Sequence, residues 1–327
     1  MEQRLVGSSG LRVSELGLGT MTWGRDTDAL DAADQVRDFL DAGGTLVDTA
    51  ASYGGGDAER VLGSLLDGQV DRADVVLCTK AGLVRGRDGV RADTSRRSLL
   101  GGLDASLARL GTDHVDLFVV HTPDAATPPG EVAHTLQHVV SSGRARYVGV
   151  SNHPAWASSH LTGLLAGTPA PLVALQLEYS LVRRDAERDA LPAARALGQG
   201  LLAWSPLGRG VLTGKYRGAV PSDSRAASPH LGAFVSEHLD ARATAVVEAV
   251  ATAAAGLGRA PHEVALAWLL ARTDVASAVV GARTPAQLRA SLAALDLALP
   301  AELYDALDDV SAPDAGQPER WDGAAPL

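Results

Sequence analysis

Cysteine is almost absent from the sequence. Cys78 is the only cysteine in 327 residues, so the chain cannot form an internal disulfide, which is typical of proteins from a reducing compartment. Apolar runs are short as well: none approaches the ~18 residues that a membrane span needs. The opening residues MEQRLVGSSG lack the apolar core of a signal peptide. The sequence therefore predicts a cytoplasmic protein without a membrane partner.

Positive charge is in deficit. Lys and Arg number 29 against 39 Asp and Glu, which gives a net charge of -10 at pH 7. Binding to nucleic-acid phosphates needs a basic face that this balance does not favour, although a local basic pocket is compatible with it. We expect no nucleic-acid partner, and the sequence predicts neither a metal site nor a particular oligomeric state.

Lysine and asparagine are scarce. Lys80 and Lys215 are the only lysines among the 29 basic residues, and Asn152 is the only asparagine. Lysine is a compact charge whose pKa responds to its surroundings, whereas arginine is planar and always charged. These three positions are therefore candidates for a functional requirement, and an arginine-rich coding bias is the alternative explanation.

Eight short apolar runs predict strands, and stretches with helical spacing lie between them. The runs are Leu16–Gly19, Thr45–Asp48, Val75–Thr79, Val115–Val120, Ala145–Val150, Leu172–Gln176, Gly200–Trp204 and Val275–Val280. The helical stretches are Ala29–Ala42, Asp57–Leu66, Ser95–Leu110, Gly130–Ser141, Asp185–Gly198, Asp240–Gly256 and Pro261–Ala271. Apolar strands alternating with helices are typical of a parallel sheet buried on both faces. Eight such units predict an α/β fold, the (β/α)8 TIM barrel.

The residues before the first barrel strand predict a small hairpin. Arg4–Leu5 and Arg12–Val13 flank the turn-forming stretch Gly7–Gly10, and we expect this hairpin to cap the barrel bottom. No repeat, linker or change of composition indicates a second domain. Residues 1–327 are therefore expected to form one barrel domain, with a loose C-terminal tail over residues 312–327.

Ionisable side chains follow three successive predicted strands. Asp48 ends the second strand, Lys80 follows the third and His121 follows the fourth, while Tyr53 lies in the glycine-rich loop after the second. The C-terminal strand ends of such a barrel form its active site, so these side chains are expected to converge. The alternatives for single residues are a structural ion pair, a packed tyrosine and a histidine that caps a turn.

The four side chains suit acid–base chemistry at a carbonyl group. A phenol has a pKa of about 10 and is a poor acid at neutral pH unless a cation stabilises its phenolate. Lys80 is expected to supply that cation, Asp48 to hold it in place, and His121 to bind a substrate oxygen. This arrangement suits reduction of an aldehyde or ketone, which needs a hydride source that side chains cannot provide.

Several segments resemble the aldo-keto reductase superfamily. The segments are SSGLRVSELGLGTMTWG, VDTAASYGGGDAERVLG, LCTKAG, DLFVVHTPD, RARYVGVSNH, ALQLEYSL and LLAWSPLGRGVLTGKY. The resemblance extends over almost the whole chain. The resemblance implies a catalytic tetrad of Asp48, Tyr53, Lys80 and His121, with Tyr53 as the proton donor. It also implies a nicotinamide cofactor in extended form across the barrel mouth, which agrees with the absence of GxGxxG after any predicted strand.

The resemblance also implies a set of cofactor contacts. Ser151, Asn152 and Gln176 end the fifth and sixth strands, where hydrogen bonds to the nicotinamide carboxamide are expected. Trp204 ends the seventh strand and is expected to stack on the ring, with a core tryptophan as the alternative. Besides Asp48, the further contacts are Thr20, Met21, Ser205, Pro206, Leu207, Gly208, Gly210, Lys215, Arg225, Gly281, Arg283 and Gln287.

Two arginines indicate NADPH rather than NADH. Arg283 starts the helix after the eighth strand, where amides and the helix dipole favour an anion, and with Arg225 it is expected to bind a 2'-phosphate. The glycine-rich stretch before Lys215 is expected to bind the pyrophosphate. The chain departs from the family at Ala290 and Ser291, where Glu and Asn are usual. Contacts to the adenine are therefore expected to be weaker than usual.

The substrate pocket is expected to consist of Trp23, at the end of the first strand, together with Tyr53 and His121. The segment Gly218–His238, which contains Phe234, is predicted to fold over the cofactor and substrate. Sugars, steroid-like ketones, short aldehydes and intermediates of secondary metabolism all stay open as substrates, because the sequence of pocket loops is variable and follows no regular pattern.

Two other functions remain open at this stage. Some members of the family are regulatory subunits of membrane channels, in which the cofactor serves as a redox sensor. A barrel with a lysine at a strand end is also compatible with a Schiff-base lyase. That second chemistry would leave Trp204, Asn152 and the loop at Gly208 without a role.

Overall fold

The apolar runs of the sequence pair side by side as parallel strands of a closed barrel. The computed structural model describes residues 1–86, 89–222, 224–228 and 231–313. Pro229 of the predicted covering segment and the predicted tail from residue 314 onward lie outside these described residues.

The described residues contain twelve strands, eight of which form the barrel. The strands are β1 (Gln3–Leu5), β2 (Arg12–Ser14), β3 (Leu16–Gly19), β4 (Leu46–Asp48), β5 (Val76–Ala81), β6 (Leu83–Gly86), β7 (Gly89–Ala92), β8 (Val115–Val120), β9 (Ala145–Ser151), β10 (Leu172–Glu178), β11 (Gly200–Trp204) and β12 (Val275–Gly281). The barrel runs β3, β4, β5, β8, β9, β10, β11 and β12, and parallel pairing of β12 with β3 closes it. The predicted (β/α)8 barrel is confirmed, with small differences at the strand ends.

Helices connect the barrel strands. They are α1 (Ala29–Asp41), α2 (Asp57–Leu66), α3 (Arg96–Leu110), α4 (Pro129–Ser141), α5 (Ala155–Leu165), α6 (Ala190–Ala196), α7 (Gly232–Ser236), α8 (Ala241–Leu257), α9 (Pro261–Leu270), α10 (Pro285–Leu292) and α11 (Ala301–Ser311). The predicted start of α3 is confirmed, because the Ser95 side chain accepts a hydrogen bond from the backbone N–H of Ser98.

One predicted helix is shorter than expected. Instead of one helix over Asp185–Gly198, a 3-10 turn at Asp185–Glu187 precedes α6. Pro192 has no backbone N–H and is tolerated only in the first turn of a helix. A helix that began at residue 185 would place Pro192 in its interior, so the α-helix begins at Ala190 instead.

The N-terminal hairpin fills the barrel bottom, as the sequence predicts. β1 and β2 pair antiparallel, and Val6 and Val13 are fully buried in one cluster with side chains of the barrel interior such as Leu117. Gly7 adopts φ +58°, and a Cβ there would collide with the carbonyl of Gly198. The hairpin therefore packs closely against the chain that leads into β11.

The interior of the barrel is a packed core, and the polar groups lie at the opposite end of the strands. Asp48 and Lys80 lie at the C-terminal ends of β4 and β5, and His121 directly follows β8. No helix in the described ranges is long and apolar enough to cross a membrane. The carboxyl ends of the strands therefore carry the candidate site.

Candidate active site

A buried ion pair lies at the end of β4 and β5. The ammonium of Lys80 donates to Oδ1 of Asp48 at 2.6 Å and to the backbone carbonyl of Thr49 at 2.9 Å. Both side chains of the pair are almost completely buried. β4 and β5 are neighbouring parallel strands, and their register pairs Asp48 with Cys78, two residues before Lys80. The register of these strands therefore brings the two charged side chains together.

Tyr53 completes this cluster from the loop after β4. Its hydroxyl lies 3.3 Å from Nζ of Lys80, and that nitrogen is 4.9 Å from the centroid of the ring. Gly54, Gly55 and Gly56 follow it with φ of 58°, 69° and 100°. Glycine populates this left-handed region without steric cost, so the glycine run lets the chain turn directly after the tyrosine into α2.

His121 faces the tyrosine from the end of β8. The two rings meet edge to face, with centroids 5.9 Å apart and an interplanar angle of 79°. Nδ1 of the imidazole lies 3.4 Å from Oγ of Ser52. If the serine hydroxyl donates to Nδ1, Nε2 carries the proton and is a donor for a ligand oxygen. The four predicted catalytic residues thus lie together.

The charges set the protonation states of the cluster. Burial lowers the pKa of Lys80, but the charge of Asp48, the neighbouring Tyr53 and Cys78 and the hydrogen bond to Asp48 together outweigh burial, so its pKa lies above the usual value. Burial, and then the charge of Lys80, lowers the pKa of His121 to about 3. The imidazole is therefore neutral at physiological pH.

The phenol of Tyr53 is not made acidic in this structure. Burial raises its pKa, the Lys80 ammonium lowers it and the Asp48 carboxylate raises it, and the net direction is upward. The expected effect of Lys80 is present, but burial outweighs it. At neutral pH the hydroxyl therefore keeps its proton and is available as a donor.

The polar side chains predicted on β9, β10 and β11 form one hydrogen-bonded row beside the ion pair. Nε2 of Gln176 donates to Oδ2 of Asp48 at 2.7 Å. Nδ2 of Asn152 donates to the carbonyl of His121 at 3.0 Å, and Nε1 of Trp204 donates to Oδ1 of Asn152 at 3.1 Å. Asn152 has φ +58°, a conformation that asparagine tolerates better than most residues.

The row opens onto a cavity of about 520 Å³. Most predicted site residues line it: Met21, Asp48, Tyr53, His121, Ser151, Asn152, Gln176, Trp204, Ser205, Pro206, Leu207, Gly210, Lys215, Arg225, Gly281, Arg283 and Gln287. The cavity extends from the ion pair on β4 and β5 to the start of α10, so it is elongated across the barrel mouth.

Positive charge is concentrated at the end of the cavity near β12 and α10. Arg225 and Arg283 line this end, and Lys215 lines the cavity beside Gly210. Burial, and then repulsion by Arg283, lowers the pKa of Arg225. The backbone N–H of Arg283 is held by Oε1 of Gln287 at 2.9 Å. Two like charges that repel each other in this way would be stabilised by an anion between them.

Four predicted site residues are placed differently. Trp23 does not line the cavity: its side chain is fully buried and its indole N–H donates to Oε1 of Gln35 at 3.1 Å. Thr20 is also buried and donates to the backbone carbonyl of Asp48. Lys80 and Gly208 lie behind the lining residues, and Lys80 acts through its contacts with Asp48 and Tyr53. The side chain of Trp23 points toward α1, and its role as a pocket wall stays a prediction.

Several lining residues were not identified from the sequence, among them Arg209, His262 and Thr213. Arg209 lies between the predicted Gly208 and Gly210 and is buried with φ +58°, a backbone strain of about 1 kcal/mol or more in a non-glycine residue. His262 lines the far end and lies 3.1 Å from the carbonyl of Ala290 through Nε2. Thr213 lines the cavity near Lys215. Of these residues, only Arg209 had a recognisable sequence feature nearby, its position between Gly208 and Gly210.

The similarity of this chain to known proteins covers most of its length and not only the site. The family model described as Aldo/keto reductase family matches residues 15–312. The uncharacterized oxidoreductase YrpG of Bacillus subtilis (strain 168) is 35% identical over 323 residues, covering 95% of this chain and 96% of that protein. A probable voltage-gated potassium channel subunit beta of Oryza sativa subsp. japonica is 34% identical over 330 residues, 98% of each chain. The L-glyceraldehyde 3-phosphate reductase of Escherichia coli (strain K12) is 33% identical over 304 residues, covering 90% and 88%.

Proposed function

The chain belongs to the aldo/keto reductase family, and from that premise we propose that it reduces an aldehyde or ketone with NADPH, with Tyr53 as the proton donor. The observation that carries the proposal is the ammonium of Lys80, which contacts both Asp48 and the Tyr53 hydroxyl at the edge of the cavity. A protonated phenol beside a fixed cation is suited to give its proton to a carbonyl oxygen that gains charge.

The residues of the cavity fit a nicotinamide cofactor in extended form. The hydrogen bond from Nε2 of Gln176 to Asp48 fixes the orientation of that amide, and we assign its Oε1 to the nicotinamide carboxamide. At the other end, Arg225 and Arg283 repel each other in a way that an anion would relieve. A bound nicotinamide supplies the hydride.

Each member of the tetrad then has a separate task. His121, being neutral, binds the carbonyl oxygen as a hydrogen-bond donor through Nε2. Tyr53 donates its proton to that oxygen, and Lys80 stabilises the phenolate that remains. Asp48 holds the ammonium at 2.6 Å. The substrate carbon receives the hydride and its oxygen the proton, so an alcohol is the product.

The preference for NADPH rests on the two arginines. Arg283 directly precedes the N-cap of α10, and Nη2 of Arg225 is 3.8 Å from the Cβ position of Gly281 at the end of β12. A 2'-phosphate between two guanidinium groups makes charge-assisted hydrogen bonds that NADH lacks. We therefore assign these residues to the 2'-phosphate.

A direct test mixes the purified protein with NADPH and a panel of aldehydes and follows the loss of NADPH absorbance. The expected result is turnover of at least one simple aldehyde such as 4-nitrobenzaldehyde, and alcohol formed in equal amount to the NADPH consumed. If NADPH binds and no carbonyl compound of the panel is reduced, the reductase proposal fails.

The second candidate is an NADP(H)-binding regulatory subunit with slow turnover. It is supported by the relative from Oryza sativa, which is named as a probable voltage-gated potassium channel subunit beta and is similar over 98% of the chain. Cofactor binding without steady-state turnover of the aldehyde panel would favour this candidate. Sustained multiple turnover, at a rate that depends on the aldehyde concentration, would favour the reductase.

A further inference from the structure

Among the described residues, the charged side chains beside the carbonyl end of the cavity are paired with one another. Lys80 is held by Asp48, and His121 is neutral because burial and the Lys80 charge lower its pKa. The remaining cation on this side is Arg209, which lines the cavity with its guanidinium 5.8 Å from the centroid of the Trp204 ring.

Arg209 is surrounded by carboxylates. Its Nε and Nη2 donate to the two oxygens of Glu178, each at 2.7 Å, and its Nη1 donates to Oε2 of Glu237 at 2.7 Å. Nε2 of His238 lies 2.9 Å from the same Glu178. Two carboxylates thus share one guanidinium. An anion that entered this part of the cavity would meet no unbalanced positive charge on Arg209.

The same arginine fixes an aromatic wall. Its guanidinium lies 3.6 Å from the centroid of the Phe234 ring and donates to the Phe234 carbonyl. The ring of Phe234 is nearly parallel to that of Trp204, with centroids 6.5 Å apart and an angle of 12°. Phe234, Trp204, Tyr53 and His121 all line the cavity. The carbonyl end is therefore bounded by uncharged rings.

Three further cations line the cavity within the described part of the chain: Lys215, whose Nζ is 3.2 Å from the Cβ position of Gly210, and Arg225 and Arg283 beside β12 and α10. In the proposed function the two arginines bind the 2'-phosphate, and we assign Lys215 to the pyrophosphate of the cofactor. They are therefore not available to a substrate. A carboxylate or phosphate on the substrate would lose its hydration at the carbonyl end without gaining a counter-ion.

We propose, on the basis of the proposed function, that the substrate is an uncharged aldehyde or ketone with an apolar or aromatic body, and that the paired Arg209 cluster with Phe234 excludes carbonyl compounds that carry a carboxylate or phosphate. The cluster contributes in two ways: it cancels the one positive charge next to the pocket, and it holds the apolar wall in place. Arg209 is thus a positioning residue.

The test compares three aldehydes with NADPH in excess. Benzaldehyde is the neutral reference, 4-carboxybenzaldehyde adds an anion, and its methyl ester keeps the size while removing the charge. We expect the anion to show kcat/KM at least about tenfold below both neutral compounds, because an unpaired carboxylate is costly to desolvate. A difference smaller than about tenfold from either neutral compound overturns the proposal.

A binding measurement tests the selectivity for uncharged substrates separately from the proposed reductase activity. If none of the three aldehydes is reduced, the reductase proposal fails, and binding to the NADP+ complex is then measured by tryptophan fluorescence. The neutral compounds should still bind at least about tenfold more tightly than the anion. Equal binding of anion and ester overturns the substrate proposal independently of turnover.

A charge variant tests the cluster itself. Glu237→Gln removes one of the two carboxylates that balance Arg209, so the ratio of kcat/KM for 4-carboxybenzaldehyde to that for its methyl ester should rise about tenfold. Glu248→Gln is the matched control, because Glu248 pairs with Arg217 on the outer surface, with both side chains about half exposed. An unchanged ratio in Glu237→Gln, or an equal rise in both variants, contradicts the assigned role of Arg209.

Discussion

Nζ of Lys80 lies 3.3 Å from the hydroxyl of Tyr53 while it is held at 2.6 Å by Asp48. The carboxylate fixes the position of the ammonium, and the ammonium in turn acts on the phenol. Since Asp48 and Lys80 are buried and Tyr53 is partly buried, their mutual electrostatic interactions are stronger than they would be in water. The consequences of this arrangement can be measured.

Removal of the Tyr53 hydroxyl should abolish turnover and spare cofactor binding. Tyr53→Phe keeps the ring and loses the proton donor, so kcat for an aldehyde should fall by about 100-fold or more. Quenching of tryptophan fluorescence by NADPH should change by less than about twofold, because the tyrosine ring stays in place. Tyr147→Phe, at the opposite end of the barrel near Gly10, serves as the control and should behave as wild type. Residual turnover within about tenfold of wild type would exclude Tyr53 as the proton donor.

The neutral His121 should make the protein less stable in mild acid. Its pKa is about 3 in the folded protein, whereas an imidazole in the unfolded chain has a pKa of about 6.5. The unfolded state therefore binds the proton first as the pH falls, so the free energy of unfolding decreases from about pH 6.5 toward about pH 3. Above about pH 6.5 the residue makes no such contribution.

Urea denaturation at several pH values measures this effect. His121→Gln should lose less stability than wild type between about pH 7 and about pH 5. His160→Gln, at an exposed position of α5, should follow the wild-type dependence. Parallel curves for wild type and His121→Gln would show that His121 does not titrate as described.

The choice between NADPH and NADH should depend on Arg283. Arg283→Ala is expected to weaken NADPH binding by about 10- to 100-fold, the range of one or two charge-assisted hydrogen bonds, and NADH binding by less than about threefold. Arg289→Ala is the control, since Arg289 lies within α10, whose N-terminus Arg283 precedes, and pairs with Asp38 at 2.7 Å on the surface. Titrations followed by fluorescence provide both dissociation constants. An equal loss for the two cofactors would remove Arg283 from the 2'-phosphate site.

The stability of the protein should depend on a buried carboxylate in the helix that follows the Tyr53 loop. Glu59 in α2 is fully buried, accepts from the Thr79 hydroxyl at 2.5 Å and from Nε of Arg109 at 2.7 Å. Glu59→Ala leaves the guanidinium without this partner, and the free energy of unfolding should fall by about 3 kcal/mol. Asp57→Ala, in the exposed pair with Arg60, should cost less than about 1 kcal/mol. Similar losses in both variants would contradict the importance of the buried pair.

The barrel was predictable because its strands are buried on both faces. Such strands are continuous apolar runs, and the end of each run locates the residue that faces the mouth, which is how Asp48, Lys80 and His121 could be identified. The hairpin of β6 and β7 was not predicted. Its residues Leu83–Gly86 and Gly89–Ala92 are largely polar or exposed, so they carry no alternation of apolar side chains.

Side-chain direction and distant pairing were not predictable. Trp23 follows β3 as a pocket residue would, but the contact that decides its orientation is a hydrogen bond to Gln35 in the next helix. Arg209 is paired with Glu178 and Glu237, which are 31 and 28 residues away. Sequence spacing has no signal for such pairs, since they depend on how the loops fold over the mouth.

The N-terminal hairpin, with Gly7 packed against the Gly198 carbonyl, closes the base of the described barrel. The cavity therefore opens at the other end, above the tetrad. A cofactor and a substrate that enter through the same opening must bind one after the other. If the nicotinamide were held beneath the aldehyde at this opening, the dinucleotide would have to bind first and leave last, and product inhibition patterns would be those of an ordered sequence.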